Sequence, residues 1–246
     1  GTCVEVVRKA DGARRPAALA IGRAYVGEWL FNRRPIQPDG MVRSTLQPKD
    51  PYVLPGGLRF GKLDPTMTVV SLQADGGQPI ATLLQLSVHS VSVYGEYKGV
   101  SADWPGATVD RVRGALGGEA IFLQGCAGDV VPSRRGFAAV KAMAELIAGR
   151  AVAAQKVALR LVPGRLRVSQ AVIGLPATEA AGRDLKRGSI ASEVQVITCG
   201  PLAIVTLPGE PLQDIGNDIQ ARSPFPHTLV LGYANGRGVG YVGLPG

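Results

Sequence analysis

Met67-Thr68-Val69-Val70-Ser71-Leu72, then Ala74-Asp75-Gly76-Gly77, then the apolar run from Ile80 to His89 decide how this chain folds. Two stretches of β-branched and aliphatic residues flank an aspartate-glycine turn, which predicts an antiparallel hairpin. The second run ends Leu86-Ser87-Val88-His89-Ser90 and so places an imidazole at the tip of an apolar strand, where it can point into a cleft. Read alone, one histidine in such a place is more often a satisfied structural residue.

Downstream of the hairpin, helical spacing takes over. Val109, Val112 and Leu116 share a face of a helix predicted over Pro105 to Leu116. Phe137, Val140, Met143, Ile147 and Val152 mark the apolar face of a longer one over Gly136 to Lys156. Ala120-Ile121-Phe122-Leu123-Gln124 between them suits a buried strand. Strands return at Leu166 to Ile173, Glu193 to Thr198 and Ala203 to Leu207, with Cys199-Gly200-Pro201 a tight hairpin between the last two. Gln213 to Ala221 reads as a helix behind Pro211, and Thr228 to Tyr233 as the final strand.

Upstream, Cys3 to Val7 is read as extended, and Pro16 as the opening of a short Ala-rich helix through Tyr25. Residues 32–63 are rich in Pro, Gly and Asp without periodicity, a loop long enough to carry function. Hairpins mixed with helices predict one α/β (α+β) domain over residues 1–246, with a mixed β-sheet core and flanking helices.

The 246 residues suffice for a substantial core, and with aromatics at 5% that core is aliphatic. The net charge of +8 favours anionic partners, nucleic acid or lipid surface. The pairs Arg14-Arg15, Arg33-Arg34 and Arg134-Arg135 are scattered without interleaved aromatics, however, which is the pattern of a solvated surface and not of a specific nucleic-acid site. No apolar run is long enough for a transmembrane segment, and the start has no signal-peptide pattern. Cys3, Cys126 and Cys199 are compatible with one disulfide and a thiol or with three thiols, so the compartment stays open.

Two further strand-to-turn junctions hold polar residues. In Leu207-Pro208-Gly209-Glu210-Pro211 a carboxylate follows a sharp turn and precedes a helix whose N-terminus favours negative charge. In Gly125-Cys126-Ala127-Gly128-Asp129-Val130-Val131-Pro132 small residues permit close backbone approach, and Asp129 can orient a neighbour. His227, between Pro226 and a strand, is read as a surface residue.

Taken in order, these segments resemble the catalytic domain of the neutral/alkaline, non-lysosomal ceramidase family. Asn32-Arg33-Arg34-Pro35 is similar to the family's Asn-Arg-Ser-Pro segment. Asp64-Pro65, the strand ending at His89, Ser101-Ala102-Asp103-Trp104-Pro105-Gly106 and Phe122 through Asp129 follow. Leu207-Pro208-Gly209-Glu210 comes next, then Gly232-Tyr233-Ala234-Asn235 through Gly240-Tyr241-Val242. The resemblance implies a Zn2+ ion held by two histidines, a glutamate and a tyrosine. His89 would be the second histidine, Glu210 the glutamate and Tyr241 the tyrosine, with Tyr233 competing for that place. Imidazole and carboxylate are ordinary zinc ligands, and a cation stabilises a phenolate. Arg33 and Asp129 become the catalytic candidates, the first for anionic charge, the second to orient water or a ligand.

The resemblance has two departures. The family's first zinc histidine lies upstream, and residues 1–31 contain none. A preceding segment or a companion chain would have to supply it, or the site is incomplete. The chain is therefore expected to be a fragment, also lacking the family's C-terminal β-sandwich. The family's nucleophilic serine falls at Val131, with Ser133 beyond Pro132. The expected function is thus a zinc-dependent hydrolase of an amide or related C–N or ester bond without that serine, acting on a small-molecule or lipid-like substrate. The alternative is a non-catalytic binding or assembly subunit. The resemblance leans toward an extracytoplasmic location, secreted or periplasmic.

Overall fold

The computed structural model describes the chain except residues 44, 49–53, 55, 163, 177–187, 237–238 and 245–246, so part of the long loop expected over 32–63 lies outside the described residues. Helix α1 spans Thr2–Gly12, followed by strands β1 (Ala18–Tyr25) and β2 (Leu30–Asn32). The hairpin forms from β3 (Thr66–Gln73) and β4 (Pro79–Leu86) around a 3-10 turn at Asp75–Gly77. Next come α2 (Asp103–Leu116), β5 (Glu119–Gln124), β6 (Val130–Pro132) and α3 (Phe137–Lys156). Strands β7 (Leu159–Arg160), β8 (Arg167–Pro176), β9 (Ser189–Cys199) and β10 (Leu202–Thr206) follow. The chain closes with β11 (Glu210–Pro211), α4 (Gln213–Arg222), β12 (His227–Leu231) and β13 (Tyr241–Val242).

A five-stranded sheet, in the order β5-β4-β3-β1-β7, is covered on one face by α2 and α3 and on the other by a four-stranded sheet in the order β12-β10-β9-β8. Period-two alternation in β3 builds both interfaces: Met67 and Val69 join the core beneath the helices, while Val70 packs with Leu202 and Leu229 of the second sheet. Both sheets are mixed, each with one parallel pair, β4 with β5 and β10 with β12. The crossovers these pairs require are α2 and α4.

Two readings near the N-terminus are corrected. Thr2–Gly12 is a helix, not an extended segment; it buries no residue and carries a Glu5–Lys9 pair at 3.2 Å. The valines that alternate as in a strand have no sheet edge to join there. The stretch after Pro16 is strand β1, not a helix. Its position between β3 and β7 overrides alanine's helix propensity, and its small residues let α3 come close. A Cβ on Gly22 would stand 2.3 Å from the Ala154 carbonyl oxygen.

The three cysteines are free thiols in different surroundings: Cys3 is exposed, Cys199 partly so, and Cys126 is buried. Burial, with the Asp129 charge nearby, pushes the Cys126 thiol up to about 12. Because the thiolate is the reactive form, Cys3 is expected to react with an aromatic disulfide reagent in the native protein and Cys126 only after unfolding. Mass mapping of labelled peptides with and without denaturant checks this; native labelling of Cys126 would contradict the packing around it.

Candidate active site

The site lies where the carboxyl ends of the two parallel strand pairs meet, the usual place for a ligand in sheets of this kind. β4 runs out to His89 and β5 to the Gly125–Asp129 turn, while β10 leads to Glu210 and β12 to Tyr233. Backbone bonds stitch the four ends together. Gly125 N–H donates to the Leu86 carbonyl at 3.0 Å, Gly232 N–H to that of Gln124 at 3.1 Å, and His89 N–H to that of Val130 at 3.0 Å.

Residues 121 apart in sequence meet at the centre: His89 Nε2 lies 2.9 Å from Glu210 Oε2. The same carboxylate oxygen accepts from the Tyr233 hydroxyl at 3.0 Å. Tyr233 holds this position with a left-handed backbone, φ +58°, an uncommon conformation for a bulky residue. Its N–H donates to the Gly209 carbonyl at 2.8 Å, and the turn repeats the left-handed form at Asn235, φ +55°.

Tyr241 stands beside this group without joining it. β13 pairs in parallel with β11 so that Tyr241 is the register partner of Glu210, but its hydroxyl accepts from an Arg33 guanidinium nitrogen at 2.9 Å. Arg33 also donates to the Gly128 carbonyl at 2.9 Å, and its Nε is buried without a hydrogen-bond partner. Arg34 covers the Tyr241 ring, its guanidinium 5.0 Å from the ring centre. Of the three residues expected to share zinc, His89 and Glu210 are therefore in direct contact, and the phenol bonded to Glu210 is Tyr233.

Asp129 sits one layer behind. Its Oδ2 accepts from Asn32 Nδ2 at 2.7 Å and its Oδ1 from the N–H of Gln213, the first residue of α4, at 2.8 Å. A carboxylate there satisfies an N–H that a helix start leaves unpaired. Its carbonyl accepts from the Arg33 N–H at 2.8 Å, so one residue fixes the positions of β2, Arg33 and α4. Burial raises the Asp129 pKa above the ordinary 3.8, with the Gln213 and Asn32 bonds acting against that rise.

Asn32 and Gln213 were not singled out by sequence reasoning, and only Asn32's place in the Asn-Arg-Arg-Pro segment offered a signal. Trp104, quoted only within a motif, proves to support the histidine directly. It is fully buried, donates from Nε1 to the His89 carbonyl at 3.0 Å and packs edge-to-face on Phe122 at 4.9 Å. It is set by Asp103, φ +51°, whose carboxylate accepts from the Trp104 and Val93 N–H groups.

Burial, then the Arg33 charge, lowers the His89 pKa below 6.5, against the opposing pull of Glu210. The folded ring therefore binds its proton more weakly than the unfolded one, so stability is retained above pH 6.5 and falls as acid protonates the unfolded state first. Urea midpoints are expected to drop between pH 7.5 and 5.5 by more in the wild type than in His89→Gln. An equal drop in both would assign the acid sensitivity to other groups.

As a zinc-binding group, the cluster passes on donor chemistry and falls short on number. Two ligands at ~2.0–2.1 Å from one zinc in tetrahedral geometry stand roughly 3.3 Å apart, so His89 and Glu210 need separate by only a few tenths of an ångström. His89 Nδ1 is buried and without a hydrogen-bond partner; the Ala127 carbonyl favours the protonated ring but does not complete a bond of normal geometry. Zinc-bound imidazoles hand their second N–H to such a carbonyl. Among the described residues, no three of His, Cys, Asp and Glu gather in one place, and the further donor bonded to the pair is the Tyr233 phenol. The only other histidine, His227, has Nδ1 3.2 Å from Arg23. Val131 is fully buried in β6, and the Ser133 hydroxyl donates to the Glu28 carbonyl at 3.0 Å, so neither offers a nucleophile to this site.

Gly128 sets how closely β11 approaches. Its N–H donates to the Pro211 carbonyl at 3.0 Å, and a Cβ there would stand 2.5 Å from the Glu210 carbonyl oxygen. Gly128→Ala is expected to push Glu210 from His89, costing about 1–3 kcal/mol of stability and roughly 10- to 100-fold in metal affinity. Calorimetric unfolding and zinc titration check both; a variant equal to the wild type in each would show that the contact has slack.

Fold and site together define a layered α+β fold with a cluster of polar side chains at the carboxyl ends of its parallel strands. No protein-family model and no curated protein matches the chain. Solved structures that share its fold include two ceramidases. One is neutral ceramidase from Pseudomonas aeruginosa, with TM-score 0.71 and 17% identity, covering 97% of this chain and 48% of that one. The other is a ceramidase complexed with C2, with TM-score 0.70 and 16% identity, covering 96% and 49%. The fold is that of the neutral ceramidases, and the chain spans about half the length of those it matches. Among the described residues no helix is long and apolar enough to cross a membrane.

Proposed function

We propose that this chain carries the metal-binding core of a zinc-dependent hydrolase of an amide or related C–N or ester bond in a lipid-like or other small substrate. The contact of His89 Nε2 with Glu210 Oε2 carries the reading, because it brings an imidazole and a carboxylate, both ordinary zinc donors, together at the ends of two strands. Tyr241 or Tyr233 completes the set from this chain, whose other imidazole, His227, is held by Arg23. When bound, zinc supplies Lewis acidity toward a carbonyl and toward water at neutral pH.

The chain's own residues supply the rest. Arg33, anchored by Gly128 and Tyr241, presents positive charge to an anionic substrate group or a developing oxyanion. Asp129 is a positioning residue: it holds Arg33 through the backbone and Asn32 through its carboxylate. Burial keeps His89 neutral at physiological pH, and ligation through Nε2 would place its one ring proton on Nδ1, toward the Ala127 carbonyl. Arg33→Lys is expected to keep the charge, lose the forked contacts and lower kcat/KM about 10- to 100-fold, with zinc content unchanged. A loss of zinc in Arg33→Lys would instead make it a structural support of the metal site.

The buried Val131 at the nucleophile position favours one competing reading, a non-catalytic binding or assembly subunit. Zinc content together with chelator-sensitive hydrolysis of acyl-amide substrates separates the two. Zinc without hydrolysis in the native, complete protein would favour the subunit.

A further inference from the structure

A cavity of about 410 Å³ lies in the crevice between the five-stranded sheet, the 63–64 segment, α4 and β12. Its volume is in the range of small-ligand sites. Arg23 and Asp64 both line it, yet neither makes an ion pair with the other or with any described residue. The Arg23 contact is His227 Nδ1 at 3.2 Å, which a guanidinium donates to only while the ring nitrogen is an acceptor, so the arginine charge is not neutralised. One Asp64 oxygen accepts from the Thr66 N–H at 2.9 Å, leaving the other for a cation. Phe225 adds an aromatic wall, which favours an ammonium group.

The cavity is built into the framework of the fold. One wall begins beyond Lys62, whose carbonyl accepts from Asn32 Nδ2 at 2.8 Å, and Asn32 bonds Asp129. The opposite wall holds Asn217, whose side-chain Oδ1 accepts from Gln213 Nε2 at 2.9 Å, and the Gln213 N–H bonds Asp129. Both walls are thus tied to the same buried carboxylate.

We propose that this cavity is a binding site for a small zwitterion, its anionic group held by Arg23 and its ammonium by Asp64 and Phe225. This site is distinct from the His89–Glu210 cluster and stands whether or not zinc binds there. The proposal goes beyond the hydrolase reading because a charge pair left open within one cavity asks for a ligand carrying both signs, and no part of the hydrolytic site uses it.

The test is calorimetric titration of the native protein with phosphoethanolamine, alongside two-dimensional NMR. The expected result is saturable binding, with amide shifts at Asn32 and Gln213 as well as at the cavity. Arg23→Gln and Asp64→Asn should each weaken it at least tenfold; asparagine keeps the acceptor for Thr66, so the loop stays folded. Free phosphoethanolamine and vesicles containing phosphatidylethanolamine distinguish a soluble ligand from a lipid headgroup, and binding of either supports the site. Absence of saturation at 10 mM (roughly the limit of a useful weak site) overturns the proposal. Inorganic phosphate binding equally well to the wild type and Asp64→Asn would also overturn it, leaving only a simple anion contact at Arg23.

Discussion

Glu210→Gln is expected to lower zinc affinity by at least about 100-fold and to abolish hydrolysis with it, while leaving the fold intact. The amide preserves the volume at the end of β11, and the backbone bonds that place the residue, Glu210 N–H to Gly240 and Leu212 N–H to Val242, do not involve the side chain. What is lost is the anionic oxygen that meets both His89 and Tyr233. Outer-layer changes alone cost 10- to 100-fold in metal affinity, so removal of a charged donor should cost no less. Tyr233 supplies a second readout: burial and the Glu210 charge hold its phenol pKa far above 10.0, so in the metal-free variant its absorbance titration should move down. A variant that keeps wild-type zinc affinity would remove Glu210 from the metal site.

Trp104→Ala is expected to be the most destabilising single change, about 3–5 kcal/mol, a large part of the ~5–15 kcal/mol of a typical domain. The indole fills the core between α2 and β5 with no exposure, and its loss leaves Phe122 without its edge-to-face partner. It also leaves the His89 carbonyl without a donor. Trp104→Phe separates packing from hydrogen bonding. It should retain most of the stability, lose about 1–3 kcal/mol for the unsatisfied carbonyl, and loosen zinc binding because the residue bearing the ligand is no longer pinned. Equal stability of both variants would mean that the bond, and not the packing, dominates.

Much of the layered core was legible because the hairpin pattern of β3 and β4 is strong and local and α2 carries a clear apolar face; α3 buries Met143 and Ile147 as expected but leaves Phe137 exposed, alanines completing its inner face. β1 was not legible, since Ala18–Tyr25 has the composition of a helix and becomes a strand only through its neighbours β3, β7 and Ala154. Helix α1 failed for the opposite reason: its alternating valines had no partner strand to make alternation matter. His89 and Glu210 were visible as strand-end residues, but their 2.9 Å contact is a property of two sheets meeting and leaves no mark in either local sequence. The choice between Tyr233 and Tyr241 rested on the glycine-rich end, and which phenol bonds Glu210 follows from a left-handed φ that tyrosine composition does not announce. Asp129 was found by its turn, whereas its partners Asn32 and Gln213 come from segments 97 and 84 positions away.

An anomalous difference map collected at the zinc edge from crystals of the native protein tests the central assignment most directly. The expected result is one peak within bonding distance of both His89 Nε2 and Glu210 Oε2, absent from crystals of Glu210→Gln. A peak elsewhere in the loaded protein, or native protein that binds no zinc and keeps the imidazole bonded to the carboxylate, would contradict it.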